Sequence, residues 1–202
     1  MIVITMDQQG SRTRGDRVDP LLTDLRRFAD RPGLLRSFER TVGDEVQAVL
    51  DDAELAVEIA LHVLRRGGWS AGIGAGPIDE PLPASARAGS GAGFVLARTA
   101  VERSKSRSRP VPLAVEAAIA VRGAECEAVL TLLGTIVTRR TGAGWAVIDA
   151  FTDLGVKATQ DDVAARLGIT QQAVSQRLRT AMWAEERAVR PVAARLLAEG
   201  ER

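Results

Sequence analysis

Cysteine and histidine are almost absent from this sequence of 202 residues. The single cysteine, Cys126, cannot form a disulfide within the chain, which suits a reducing cytoplasm. The single histidine, His62, lies in an amphipathic helical pattern and has no second histidine beside it. A zinc site and a histidine-based catalytic triad are therefore not expected, and we expect both residues to pack in the interior.

The sequence also lacks an excess of either charge and any long apolar run. Lys plus Arg number 27 and Asp plus Glu number 26, so the net charge of +1 does not indicate nucleic-acid binding, which would need a local basic surface. The apolar runs are far shorter than the roughly 20 residues that cross a bilayer. The opening MIVIT is too short for the apolar part of a signal peptide. We expect a soluble, cytoplasmic protein without a membrane partner.

The first half of the chain alternates between strand and helix patterns. The run MIVIT (1–5) predicts a buried strand, and Asp19 followed by Pro20 predicts the start of a helix. The runs LLRSFERT and EVQAVL flank Gly43 and Asp44, which predicts a β-hairpin. This half therefore contains both strands and helices.

The pattern continues with a helix, a glycine-rich strand and a second helix. Asp51 or Asp52 caps AELAVEIALHVLRR, which ends at the glycine pair after it. In the predicted strand WSAGIGAGPI (69–78), the glycines leave room for a backbone or a ligand to approach closely. A loop over 79–93 leads to the helix predicted over 94–105.

A polar, basic segment with two prolines, SRSRPVP, marks a predicted domain boundary. Beyond it LAVEAAIAVR, ECEAVLTLLGTIVTRR and GWAVIDAFTDLG all fit helices, although TGAGWAVID also fits a short strand. We predict an α/β domain over 1–106, a linker over 107–112 and an all-helical domain over 113–202.

A stretch near the end of the chain, TQDDVAARLGITQQAVSQRLRT, has the signals of two short helices joined by a turn. Thr159 or Asp161 caps the first helix, and Gly168 ends it. Ile169 fills the turn, and Thr170 caps the second helix.

This stretch, about 159–180, resembles the helix-turn-helix of bacterial transcription regulators, with QQAVSQRLR as the recognition helix. Gln pairs with adenine edges, Arg with guanine or phosphate, and Ser with either. The residues expected to contact double-stranded DNA are Thr170, Gln171, Gln172, Ser175, Gln176, Arg177 and Arg179. Because the region is close to charge balance, we expect a homodimer. The alternative is a helical hairpin used only for packing or dimerisation.

Two acidic residues stand at predicted strand ends, Asp7 in ITMDQQGSR and Asp44 in TVGDEVQAVL. With the order of elements around them, they resemble the palm-like domain of class III nucleotide cyclases and diguanylate cyclases. The resemblance implies an α+β, ferredoxin-like fold in which the two carboxylates hold Mg²⁺ over ATP or GTP. Asp44 is equally explained as an ordinary turn residue.

The runs ITMDQQGSR, GDEVQ, GIG and GAGFVLAR are similar to those of the SatD family, which joins a palm-like domain to a helix-turn-helix. The resemblance covers most of 1–105. It implies a purine-nucleotide site that contains Gln8, Gln9, Gly10, Ser11, Arg12, Gly43, Glu45 and Arg98.

One departure from the cyclases bears on catalysis. Cyclases carry an Asn and an Arg on the helix after the last loop, but GAGFVLARTAVER has no Asn, and Arg98 is only roughly in register. Without donors aimed at the developing charge, the rate should fall by orders of magnitude. We therefore expect a transcription regulator that senses a purine nucleotide with Mg²⁺, rather than an enzyme. The alternatives are an active or weakly active cyclase or nucleotidyltransferase, and a ligand-free dimerisation platform.

Overall fold

The computed structural model describes residues 1–201, apart from the side chains of Arg12 and Arg14. In this part of the chain five strands form one mixed sheet, in the order β2-β3-β1-β4-β5. The strands are β1 (Ile2–Gln8), β2 (Leu34–Arg40), β3 (Glu45–Leu50), β4 (Trp69–Ala75) and β5 (Leu113–Ala117). β1 runs antiparallel to β3 and to β4, β2 runs antiparallel to β3, and β5 runs parallel to β4. The protein is mixed α/β and compatible with the predicted α+β class.

Helices connect the strands and follow the last of them. They are α1 (Ser11–Arg14), α2 (Val18–Leu25), α3 (Ala53–Arg66), α4 (Ala92–Ser104), α5 (Ala120–Arg139), α6 (Gly142–Leu154), α7 (Gln160–Leu167), α8 (Gln171–Thr180) and α9 (Trp183–Glu199). None of the helices in residues 1–201 is long and apolar enough to cross a bilayer. TGAGWAVID, for which a strand was the alternative, lies in α6.

Local signals fix the ends of the early helices. The Asp52 carboxylate accepts hydrogen bonds from the backbone N–H groups of Glu54 and Leu55, and therefore caps α3 as predicted. The predicted start of α2, with Asp19 as its cap, is wrong. Asp19 lies inside the first turn, and the Asp16 carboxylate accepts from the Val18 N–H, so the helix begins earlier than the Asp-Pro pair indicates.

The two faces of the sheet are covered by different helices. On β1 the alternate residues Ile2, Ile4 and Met6 join a core with α3, α5 and α9. Val3 faces the other way and joins a smaller core beneath α4. Each aliphatic side chain buried in this way contributes about 1.5–3 kcal/mol to folding, so both layers stabilise the sheet.

Glycines in β4 allow α4 to lie directly on the sheet. A Cβ atom at Gly72 would be 2.1 Å from the backbone nitrogen of Val101, and one at Gly74 would be 2.3 Å from that of Ala97. The sequence left open whether these glycines make room for a backbone or for a ligand. In the structure they make room for the backbone of α4.

The segment that follows the predicted linker is a strand and not a helix. Residues 107–112 lead into β5, which pairs with β4, so the sheet continues beyond the predicted boundary. α4 and α5 both contact β5, so this strand is covered on both faces. Such a strand has a continuous apolar sequence, which cannot be distinguished from that of a short buried helix. Helices α5 and α9 share the main core with the sheet.

Candidate functional site

Helices α7 and α8 are joined by a three-residue turn whose polar groups are satisfied locally. Thr159 caps α7 and forms a capping box with Asp162, so Thr159 and not Asp161 is the cap. Gly168 ends α7 in the left-handed conformation at φ 63°. The Thr170 hydroxyl accepts from the Ala173 N–H at 3.1 Å and caps α8.

The inner side of this helix pair packs against α6. The apolar cluster consists of Val147, Ala150, Val163, Ala164 and Val174, with Phe151, Leu167, Ile169 and Leu178 at its border. Ile169 thus packs beneath the turn, as predicted. Because Val174 and Leu178 face this cluster, the opposite side of α8 is left for solvent.

The outer side of α8 is polar. We call Gln171, Gln172, Gln176 and Arg179, which are all exposed, the α8 surface. Ser175 and Arg177 are half-buried beside it, and Thr170 is exposed at its start. Neither Arg177 nor Arg179 forms an ion pair within residues 1–201, so both guanidinium groups can meet an external anion.

A cleft of about 580 Å³ separates α8 from α9, and Ser175 and Arg179 line it together with Trp183. The Trp183 ring stacks on Phe151, with 5.1 Å between the ring centroids, and the guanidinium of Arg187 lies 5.0 Å from the Trp183 centroid. This aromatic pair therefore joins α6 to the start of α9, beside the α8 surface.

A buried ion pair between Arg140 and Glu186 stabilises the turn between α8 and α9. Arg140 donates to the Ala181 carbonyl from Nε at 3.0 Å and from Nη2 at 2.8 Å, and it also donates to Glu186. Glu186 accepts a second hydrogen bond from Arg190 Nε at 2.9 Å. The start of α9 is thereby held to the end of α5.

Arg65 joins the sheet half to α6. Its guanidinium donates to both carboxylate oxygens of Asp149 at 2.7 Å and lies 3.7 Å from the centre of the Trp145 ring. Arg140 lies 4.4 Å from the same ring. Two cations therefore contact one indole, which strengthens the junction between α3, α5 and α6.

The predicted metal ligand Asp7 is bound by a lysine. Lys105 Nζ lies 2.9 Å from Asp7 Oδ2 and 2.7 Å from Glu102 Oε1. Partial burial lowers the pKa of Lys105, but the hydrogen bonds that its ammonium donates to Glu102 and Asp7 outweigh burial and hold the pKa above its ordinary value. The lysine therefore stays charged, and its ammonium lies where the sequence predicts a metal ion.

The second predicted ligand, Asp44, lies in the turn before β3, and the cross-strand partner of Asp7 is the next residue, Glu45. The Glu45 carboxylate accepts from the Thr41 hydroxyl at 2.7 Å. Nowhere in residues 1–201 are three or more His, Cys, Asp or Glu side chains grouped to hold a metal ion. In this arrangement the carboxylate of Asp7 is paired with an ammonium group, and the Glu45 carboxylate with a hydroxyl.

The predicted nucleotide residues are divided between two clefts. The basic cleft, of about 630 Å³, is lined by Asp7, Gln9, Ser70, Lys105, Arg107 and Arg109, together with the predicted Gln8 and Gly10. The hairpin cleft, of about 540 Å³, is lined by Thr41, Glu45, Gln47, Arg87, Phe94 and Arg98. Ser11, Gly43 and Asp44 line neither cleft. The side chain of Arg12 lies outside the described part of the chain.

Gln8 and Gln9 have different surroundings. Gln8 is 2% exposed, and its side-chain amide donates to the Gly15 carbonyl and accepts from the Arg17 N–H. The Gln9 amide donates to Ser70 Oγ and to the Trp69 carbonyl, both at 3.2 Å. Gln8 therefore holds the loop after β1, while Gln9 lies at the wall of the basic cleft.

The cations of the basic cleft are not among the site residues predicted from the sequence. Lys105, Arg107 and Arg109 fall at the end of a predicted helix and in a predicted linker, yet the structure places them beside the end of β1. The alternation of basic and hydroxyl side chains in KSRSR is the signal in the sequence that could have drawn attention to these cations. When the chain is compared with protein-family models, with curated proteins and with solved structures, none matches it.

Proposed function

We propose that this protein is a regulator that binds double-stranded DNA through α8. The observation that carries the proposal is the α8 surface, in which three glutamines and Arg179 are exposed on a helix whose other side is packed against α6 and α7. Glutamine and arginine are the side chains that make paired hydrogen bonds with base edges in the major groove. A short helix capped at its start and supported by a second helix suits insertion into that groove.

A single copy of this surface would bind DNA weakly. Asp161, Asp162 and Glu185 lie close to α8 in the sequence and offset its arginines, so the phosphate backbone would contribute little affinity at physiological salt. We therefore propose a homodimer, in which two α8 surfaces reach half-sites about 34–36 Å apart.

The sheet half would sense a purine nucleotide, ATP or GTP, and change the DNA affinity of the dimer. The two clefts beside α4 support this part of the proposal, because three cations line the basic cleft, and two exposed cations, Arg87 and Arg98, line the hairpin cleft together with Phe94. We propose a sensing and not a catalytic role, since α4 has no Asn to stabilise a transition state. A ligand shifts the dimer only if it binds one arrangement more tightly than the other.

The DNA-binding test begins with selection from a pool of randomised DNA duplexes, followed by fluorescence anisotropy with the enriched sequence. We expect Gln172→Ala and Arg179→Ala each to weaken binding by roughly 5- to 150-fold, the loss for one paired base contact. Arg31→Ala is the matched control, because Arg31 is an exposed cation that pairs with Glu58 in the sheet half.

Circular dichroism would check that each variant is folded, and sedimentation would report the dimer. The proposal is overturned if no sequence is enriched, or if both α8 variants bind the enriched duplex as tightly as the Arg31 control.

A further inference from the structure

The basic cleft has more positive than negative charge on its walls. Lys105, Arg107 and Arg109 line it, and Asp7 is the one carboxylate among its lining residues. Two carboxylates outside the lining also pair with these cations: Glu102 with Lys105, and Glu127 with Arg109. Glu127 is shared with Arg103, so it offsets Arg109 only in part, and Arg107 forms no ion pair in the described chain. Converging cations around an open volume attract an anion.

Arg109 is held in a fixed orientation. Its Nε donates to the Leu113 carbonyl at 2.9 Å and its Nη2 donates to Glu127 at 2.7 Å. Within residues 1–201 its Nη1 group makes no hydrogen bond, which leaves donors for a ligand. A guanidinium fixed in this way loses little side-chain entropy when it binds phosphate.

Ser70, the partner of Asp7 on the neighbouring strand β4, supplies a buried hydroxyl to the cleft lining. Its side chain belongs to a residue that is 1% exposed, and its oxygen accepts from Gln9 Nε2 at 3.2 Å. The hydroxyl hydrogen has no acceptor among the described residues, so it can be donated into the cleft. Arg107, which is exposed and forms no ion pair within residues 1–201, can close over a ligand from the α4–β5 turn.

We propose that the basic cleft binds the phosphate chain of its ligand without a divalent metal, and that the Lys105 ammonium beside Asp7 supplies the charge that a metal would otherwise supply. A Mg²⁺ ion needs oxygen ligands and here would have to displace the lysine from Asp7, among three cations. The choice of a nucleotide as ligand rests on the function proposed above, but the phosphate site itself rests only on these residues.

Isothermal titration calorimetry with inorganic tripolyphosphate, ATP and GTP tests this inference, first in EDTA and then in excess Mg²⁺. We expect tripolyphosphate to bind in EDTA and Mg²⁺ to give no gain in affinity. Lys105→Gln and Arg107→Gln should each weaken binding by about tenfold or more, since each removes a charge-assisted hydrogen bond. Lys157→Gln, at an exposed lysine between α6 and α7, is the control.

Arg107→Gln keeps the test valid if Lys105→Gln unfolds, because Arg107 has no ion pair in the described chain to lose. Equal affinities for tripolyphosphate and ATP would mean that only the phosphate chain is recognised. Tighter binding of ATP would mean that the nucleoside is also contacted, and both results support the phosphate site. The inference is overturned by binding only in Mg²⁺, by no binding at all, or by a folded Arg107→Gln variant that binds like the control. DNA binding is measured separately, so either proposal can fail while the other stands.

Discussion

The guanidinium of Arg140 and the carboxylate of Glu186 form an ion pair in which each side chain is 1% exposed. The pair is further satisfied by the Ala181 carbonyl and by Arg190, although Arg140 Nη1 has no hydrogen-bond partner within the described chain. Buried charges at such a position are tolerated only when both partners are present.

Replacing Glu186 by Ala should therefore destabilise the protein strongly. The change leaves the Arg140 cation buried without its counter-ion, and the expected loss is about 3–5 kcal/mol in the free energy of unfolding. Urea denaturation followed by circular dichroism measures it. Asp153→Ala breaks the exposed pair with Arg166 and is the control, with an expected loss below about 1 kcal/mol. Equal losses in the two variants would contradict this account.

The contact between α4 and β4 predicts that methyl groups are not tolerated at two glycines. Gly72→Ala and Gly74→Ala each place a carbon against helix backbone, which cannot rotate away, so each should cost about 1–3 kcal/mol or more of unfolding free energy. Gly142→Ala is the matched control, because nothing lies within 4 Å of the added carbon. Thermal melting of the three variants measures this loss of stability. A Gly72→Ala variant as stable as Gly142→Ala would refute the close packing of α4 on β4.

Glu127 should make stability depend on pH in the acid range. Burial raises the pKa of this carboxyl, but hydrogen bonds from the Val115 N–H and Arg109, with the charge of Arg103, outweigh burial and hold the pKa below its ordinary value of 4.5. A carboxyl with a lowered pKa stabilises the fold above its ordinary pKa, and this contribution is lost as pH falls through the folded value.

We therefore expect Glu127→Gln to lower the free energy of unfolding by about 1–3 kcal/mol at neutral pH and by less in acid. Urea titrations of both proteins on either side of pH 4.5 measure the difference. Glu125→Gln, at an exposed residue of the same helix, should show little effect at either pH. If the stability difference between the two proteins grew as the pH was lowered, the pKa of Glu127 would be raised and not lowered, contrary to this assignment.

Cys126 should be inert in the folded protein. Desolvation, with a smaller effect of the Glu127 charge, raises the pKa of its thiol to about 12, and its sulfur faces the Ala193 carbonyl. Since the thiolate is the reactive form, a thiol reagent at neutral pH should label the native protein hardly at all. The same protein in guanidinium chloride should be labelled completely. Fast labelling without denaturant would show that the α5–α9 contact opens.

The parts of the fold that the sequence predicts best depend on short-range hydrogen bonds. Thr159, Gly168 and Thr170 lie where predicted because each satisfies backbone groups within a few residues of itself. The strand β5 was missed because its burial depends on α4 and α5, and a short apolar run does not by itself distinguish a strand from a helix.

The candidate sites also differ in how far the sequence predicts them, depending on whether local or long-range contacts form them. The exposure of Gln172 and Arg179 follows from the helical period of the residues around them, so the α8 surface was predictable. The pairing of Asp7 with Lys105 could not be predicted from the sequence. The two residues meet only because the chain crosses from β4 to α4 and thereby brings the end of α4 over β1. A carboxylate that looks like a metal ligand in the sequence is, in the folded chain, half of an ion pair.

Helix α9 runs from the α8 turn back onto α3 and α5, inside the same core as the sheet. The α8 surface is therefore joined to the sheet through α9, and residues 107–112 connect α4 to β5, which pairs with β4 in the same sheet. In the proposed dimer, the spacing between the two α8 surfaces would then be set by how whole protomers tilt against each other. A signal from either cleft would have to reach the protomer interface to change which DNA spacing is accepted.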